Sequence, residues 1–355
     1  MGRSRELAEL ATAYDGGSLG FRNRIINGDM RIDQRNNGAS VTISTAALNY
    51  TVDRWAAFGQ ATDGVYTVSR STTVPSSAGF VNSLVAICTT ADTSISATNR
   101  YFLNQNIEGN NSADLQFGTA AAQAVTLSFW VRSSLTGTYC AAVLNGDGTR
   151  SYVAEYTIST ADTWEYKTIT VPGDTTGTWS TNETTGITLR FALAIGSNFQ
   201  TTANTWAAGN FNATANQVNW MSSSSSRTFF ITGVQLEAGS VATPFERRDY
   251  GRELIMCQRY YQLNIPTLGW STATNNVAAN ISGAVSMRAA PTATLINGSN
   301  GIGDFTVSYR NITAITGLGN TDTYGGEVNM TPATSTTANK GQGIRGSAIA
   351  LSAEL

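Results

Sequence analysis

The chain contains no histidine, which removes Ser-His-Asp and Cys-His nucleophilic catalysis and every His-ligated zinc or iron site. What survives is carboxylate chemistry. Asp147, Asp174, Glu183 and Asp304 sit in turn-rich stretches, where two acids could act as the acid and base of glycoside hydrolysis, retaining or inverting according to their separation. Turn carboxylates more often cap backbone amides or face water, so no catalytic residue is assigned and the chain is read as a non-enzyme. Cys88, Cys140 and Cys257 are an odd number without metal-ligand spacing, so neither a disulfide framework nor a metal site is implied. Gly341-Gln-Gly-Ile-Arg-Gly346 fits the dinucleotide fingerprint by letters. The fingerprint needs a following helix whose N-terminus holds a pyrophosphate, and here the segment reads as a glycine-rich turn or bulge before the last strand. No cofactor is expected.

Aromatic side chains offer a different chemistry. Sugar rings lay their apolar C–H faces on them, while Asn, Asp, Gln and Arg take the hydroxyls. Trp179, Trp206 and Trp220 lie in polar, turn-rich stretches, and Trp270 and Tyr324 do the same nearer the C-terminus. These five are the candidate binding residues, with Trp270 and Tyr324 first. Trp55 and Trp130 each sit in an alternating strand and read as core or sheet surface. For any single loop Trp, core packing or a subunit contact is the commoner outcome.

The elements that must position these residues are strands. Val125 to Val131, Tyr152 to Ile158, Glu165 to Val171, Ile187 to Ile195 and Thr228 to Leu236 are short runs rich in β-branched and aromatic residues, several of them alternating, separated by turn chemistry such as Asn145-Gly-Asp-Gly148. Many short strands without intervening helices predict a sandwich or jelly roll. Two helices flank it. Leu7, Leu10 and Tyr14 form an apolar stripe between Ser4 and Tyr14, too short to stand alone, and Tyr250, Leu254, Cys257 and Tyr261 recur at four, three and four, a heptad-like spacing that suits packing about an axis and equally suits a helix lying on its own sandwich. After Pro266, strands are predicted at Val277 to Met287, Ala293 to Ile296, Phe305 to Tyr309 and Ile344 to Leu351.

At 355 residues the chain accommodates two domains with cores. Charged residues are 13%, about half the usual share, and Thr, Ser, Asn, Ala and Gly replace them. With 7 Trp, 13 Tyr, 13 Phe and a net charge of -2 the chain should fold. The same near-neutral balance argues against a nucleic-acid partner. No apolar stretch approaches the roughly 20 residues that span a bilayer, and the start lacks a signal-peptide core, so no membrane insertion or export is expected. Basic residues are nearly all Arg, with Lys only at Lys167 and Lys340; Arg suits interfaces or acidic sugars, and genome base composition explains the bias as well.

Three motifs stand out: Gly20-Phe-Arg-Asn-Arg-Ile-Ile-Asn-Gly-Asp-Met30; Thr232-Gly-Val-Gln-Leu-Glu-Ala-Gly239 followed by Ala242-Thr-Pro-Phe-Glu246; and Glu253-Leu-Ile-Met-Cys-Gln-Arg-Tyr-Tyr261. Together with Met287-Arg-Ala-Ala-Pro-Thr292, the string resembles bacteriophage tail-fibre proteins over most of its length. The resemblance implies a carbohydrate-binding-like jelly roll closed by the Val-Gln-Leu-Glu strand, then a short neck helix and a host-facing β tip. Carbohydrate-binding jelly rolls often hold a structural calcium, for which Asp29 and Glu237 are the acids to consider. They usually place an acid at the start of the last strand, where this chain has Thr232-Gly233, and no metal is assigned.

The resulting expectation is an all-β chain with a virion-attachment segment at 1–20, a jelly-roll sandwich at 21–248, a neck helix at 249–262 and a β tip at 263–355. By resemblance it is a homotrimer in the phage virion, assembled in the host cytoplasm. Leu7, Leu10 and Tyr14 would dock on another tail or baseplate protein, and the neck residues would face the threefold axis. The tip and sandwich loops would meet a host surface glycan or outer-membrane protein; the alternatives are a tailspike depolymerase cutting surface glycan with paired carboxylates and a purely structural virion connector or decoration protein.

Overall fold

A computed structural model describes residues 21–355 apart from 60–63, 224–226, 265–267, 274–275, 283–284, 296–300, 305–308, 320–324, 333–340 and 346–348; within 264–284 and 295–349 the backbone alone is described. The helix expected at Ser4 to Tyr14, with Leu7 and Leu10, lies outside the described residues, as do Tyr324 and the side chain of Trp270.

The chain is all-β. Its first thirteen described strands are β1 (Val41–Ile43), β2 (Leu48–Tyr50), β3 (Ala56–Phe58), β4 (Val65–Ser71), β5 (Ser83–Thr90), β6 (Arg100–Glu108), β7 (Val125–Ser133), β8 (Gly137–Asn145), β9 (Arg150–Ile158), β10 (Glu165–Val171), β11 (Thr185–Ile195), β12 (Trp206–Ala208) and β13 (Thr228–Ala238). They make two antiparallel sheets, ordered β1-β4-β5-β13-β7-β10 and β12-β9-β8-β11-β6-β3-β2, that face each other as a jelly-roll sandwich. All five strands expected between Val125 and Leu236 form within these bounds. The alternation that predicted them also fills the core: Val125, Leu127, Phe129 and Val131 of β7 point inward, and the Phe129 ring meets Phe191 of the other sheet at 5.0 Å. Thr126, Ser128, Trp130 and Arg132 are left on the outer face.

The motif segments explain how the sandwich closes. Asn27 is fully buried; its amide donates to the carbonyls of Ile32 (2.8 Å) and Asp53 (2.9 Å) and accepts the Ile32 N–H (2.9 Å). Asn23 reaches β13, donating to the Val234 carbonyl (3.0 Å) and accepting the Leu236 N–H (3.0 Å). From the other side Gln235 accepts the Glu246 N–H (2.7 Å), and Glu246 accepts the N–H groups of Phe21 (3.1 Å) and Asn23 (2.6 Å). Buried polar groups are tolerable only when paired in this way. The first two motifs are one hydrogen-bonded knot that fixes the segment before β1 onto the last strand.

A break in compactness falls between Arg248 and Asp249; residues 249–354 form the second unit. It opens with the helix Tyr250–Gln258, whose N-cap Asp249 accepts the Arg252 N–H at 2.9 Å. The helix ends three residues earlier than the four-three-four spacing implied, because Tyr261 starts the strand Tyr261–Asn264, paired with Ile349–Ser352. Tyr261 therefore leaves the helix, while Tyr250, Leu254 and Cys257, at spacings of four and three, stay on one helix face. Tyr250 is 56% exposed and Leu254 half-buried, whereas Cys257 (0%) and Tyr261 (5%) are buried in the protomer itself. Six further strands, among them Leu268–Ala273 carrying Trp270, close a barrel. Gly341–Arg345 is one of these strands, not the expected turn, and the expected Ile344 to Leu351 strand is two separate ones.

Candidate functional site

The three sandwich tryptophans nominated from the sequence prove to be packing residues of different kinds. Trp220 is fully buried, set edge-on to Tyr66 at 6.2 Å, with its indole N–H donating to the Thr228 carbonyl; no ligand can stack on it, which corrects its selection as a loop residue. Trp179 and Trp206 are half-buried and meet edge to face at 5.5 Å, flanking Phe117 at 4.7 and 6.0 Å. Their N–H groups are held by the carbonyls of Thr176 and Pro172. A cleft of about 170 Å³ opens beside Phe117 and Trp179, but the rings mainly extend the core at one end of the sandwich.

Arg150 locks that end with a two-pronged bond to Asp174, at 2.7 and 2.8 Å. Burial alone would raise the Asp174 carboxyl, but the Arg150 bonds and the Thr176 N–H and hydroxyl outweigh it and hold it below the usual carboxylate value. A depressed folded value means the contribution is complete above the unfolded value of about 3.9 and is lost as pH falls through the folded one. Asp174→Asn is accordingly expected to cost about 2 kcal/mol at pH 7 and progressively less below about pH 4, measured by urea unfolding across pH. An equal cost at both pH values would show that the charge is immaterial.

The site with binding character lies on the outer face of the six-stranded sheet. Trp130 of β7 and Tyr166 of β10 are directly paired across the strands, on the outward phase of each, with ring centroids 5.4 Å apart and planes tilted by 47°. Tyr166 is 45% exposed and Trp130 half-buried. Beside them a cleft of about 310 Å³ is lined by Phe80, Ser128, Gly233, Phe245 and Arg247 as well as the two rings, at the lower end of the roughly 300–1,000 Å³ usual for ligand pockets.

Gly233 makes this cleft possible. It sits at φ +61° in the β13 bulge, and a Cβ there would lie 2.5 Å from the Phe80 ring. Phe80 fills that space, packs edge-on to Phe245 at 5.2 Å, and carries the Arg247 guanidinium 4.7 Å above its ring. One strand step along, Trp164 packs on Phe230 at 6.0 Å, which lengthens the aromatic strip. Flat apolar faces beside hydroxyl and guanidinium donors suit a sugar ring. Sequence reading placed Trp130 on a strand but passed over Tyr166, Phe80, Phe245 and Arg247. The signal was the outward phase of Trp130 and Tyr166 in their alternating strands.

Of the four candidate acids, Asp174 is taken up by Arg150, and the side chain of Asp304 lies outside the described residues. Asp147 is the one acid lining a hydroxyl-rich groove with Thr178, Ser180, Thr184 and Thr185. Asp29 binds Arg31 at 2.6 Å, and Glu237 accepts from the Thr243 N–H and hydroxyl and from Gln235. Among the described residues no cluster of three or more His, Cys, Asp or Glu is placed to hold a metal, and no helix is long and apolar enough to cross a membrane. Burial pushes the Cys88 and Cys140 thiols up to about 11, away from nucleophilic use.

No protein-family model and no curated protein sequence matches the chain. Similar solved structures include the enzymatically active domain of tailspike protein 4 of bacteriophage CBA120, at 14% identity and TM-score 0.32. That match covers 61% of this chain but only 21% of the tailspike domain. TmCBM61, solved with β-1,4-galactotriose, matches at 12% identity and TM-score 0.29 over 61% of this chain and 99% of that one. The family 11 carbohydrate-binding module of the Clostridium thermocellum cellulase Lic26A-Cel5E matches at 14% identity and TM-score 0.26, over 56% and 99%.

Proposed function

We propose that the chain is a bacteriophage tail fibre, a homotrimeric virion appendage whose sandwich binds a bacterial surface glycan. The observation that carries the reading is the open cleft at Trp130 and Tyr166, an aromatic platform with polar neighbours on a rigid sheet face. It accords with motifs that resemble tail fibres and that here build the closure of a sandwich. Receptor contact is assigned first to this cleft, and Trp270 and Tyr324 keep the role of tip contacts. Leu7, Leu10 and Tyr14 attach the fibre to another tail or baseplate protein. Tyr250 and Ile255, both more than half exposed on the neck helix, are the apolar surface a neighbouring copy would cover.

The fibre binds without cutting. Glycoside hydrolysis canonically takes two carboxyls across one bond; Asp174 is committed to Arg150, and among the described residues no second acid lines the groove of Asp147. Weak single-site affinity would be compensated by trimeric display.

The test is a pull-down of purified full-length chain on whole cells of candidate hosts, before and after their surface polysaccharide is stripped. Binding lost on stripping, no release of oligosaccharide, and a light-scattering mass three times 37.6 kDa are expected. Unchanged binding to stripped cells would overturn the glycan reading, and a micromolar monomer the trimeric one.

A further inference from the structure

Resting on that reading of the Trp130 cleft, the charges around it point to the class of sugar. Other basic side chains on this sheet or beside it are paired with acids. Arg132 is paired with Asp162 at 3.2 Å, Lys167 with Glu165 at 2.6 Å, and Arg22 with Glu237 at 3.7 Å. Arg247 differs: it is exposed, and among the described residues it has no carboxylate partner. Among the described residues it donates to the Ala78 carbonyl. Asp29, whose carboxyl its charge reaches, is already bound by Arg31.

The position of Arg247 is built, too. Its guanidinium lies 4.7 Å over the Phe80 ring and 5.8 Å over that of Phe245, so stacking and the Ala78 bond fix its plane while further N–H donors remain to be used. No acid lines the cleft. A held guanidinium fork beside aromatic faces matches an anionic group on a sugar ring, since two parallel N–H bonds to a carboxylate or phosphate add direction as well as attraction.

We propose that the Trp130 cleft selects an anionic saccharide, with Arg247 forking the anionic group while Trp130 and Tyr166 stack on the ring that bears it. Neutral sugars of the same shape bind through the rings alone and more weakly. Arg247 is thus the specificity-determining residue of the site, and the rings are its affinity.

An array of bacterial surface polysaccharides tests this, each printed in three forms: native, carboxyl-reduced by carbodiimide and borohydride, and dephosphorylated with hydrofluoric acid. The full chain should bind native anionic polysaccharides and lose about tenfold or more when the matching group is removed, as expected for one charge-assisted fork. The treatment that causes this loss identifies carboxylate or phosphate as the anion. Arg247→Gln should bind native and neutralised forms alike, at the level the wild type shows for the neutralised form. Arg247→Lys, which keeps the charge without the fork, should fall between. Melting curves of both variants confirm that the Phe80 and Phe245 packing survives. Wild-type binding that survives both treatments, or an anion preference intact in Arg247→Gln, overturns the proposal while leaving glycan binding standing; no binding to any polysaccharide, on the array or on cells, overturns both.

Discussion

Adding one methyl group at Gly28 is expected to cost the sandwich about 3 kcal/mol or more. A Cβ there would stand 2.2 Å from the Val234 carbonyl oxygen, 3.3 Å from its carbon and 3.4 Å from the Asn23 amide nitrogen. None of these can retreat cheaply. Val234 belongs to β13, which is held between β5 and β7; its carbonyl accepts from Asn23 at 3.0 Å and its N–H donates to the Gly28 carbonyl at 2.9 Å. Moving the strand would break both bonds and leave buried groups unpaired, at about 1–3 kcal/mol each. Asn27→Ala tests the same knot without a clash, since it strands the Ile32 N–H and the carbonyls of Ile32 and Asp53. Gly251→Ala is the control: it meets only the Asp249 carboxyl at an ordinary 3.4 Å, in a helix, where alanine is preferred. Urea unfolding should place both knot variants far below the wild type and Gly251→Ala near it. A Gly28→Ala protein within about 0.5 kcal/mol of the wild type, inside the range of ordinary surface changes, would mean that the closure relaxes and the motif is not what holds it.

How legible the molecule is in its sequence depends on whether a feature is local. Strand positions are local: Glu165 to Val171 alternates, and it is β10 to the residue. Which strand faces which is not local. Trp130 and Tyr166 are 36 positions apart in the chain, and only the β7–β10 register makes them neighbours. Polarity of the surroundings misleads in the same way. Trp220 is followed by serines and lies between Asn219 and Met221, yet a single helical turn, Trp220–Ser222, tucks it under Tyr66. Trp130 sits among Val, Leu and Phe and is turned outward. The neck spacing was periodic through Tyr261, but Tyr260 and Tyr261 are both needed inside the second unit, and the helix stops to place them. The knot is the opposite case: Asn27, Gly28 and the Val-Gln-Leu-Glu run carry a motif because each makes a contact that few other side chains could.

The largest functional effect is expected from removing the two outward rings. Stacking on each is worth about 1 kcal/mol or more, so Trp130→Ala should weaken a single site roughly fivefold and the double variant with Tyr166→Ala roughly thirtyfold. Cell adsorption should fall further, because the loss compounds when three sites on one fibre engage together. Folding is separable from this. Tyr166 is 45% exposed, so Tyr166→Ala should leave the melting temperature almost unchanged while reducing adsorption. Trp220→Ala should do the reverse, opening a core cavity worth about 3–5 kcal/mol yet leaving whatever stays folded able to bind. Trp179→Ala should behave like Trp220→Ala in kind, because its ring packs on Phe117 and Trp206. Adsorption of the purified variants to host cells, read beside their melting curves, distinguishes these outcomes. If the double variant adsorbs within twofold of the wild type and Trp270→Ala abolishes adsorption, the receptor contact lies at the tip, and the outward aromatic pair serves only to cover the sheet.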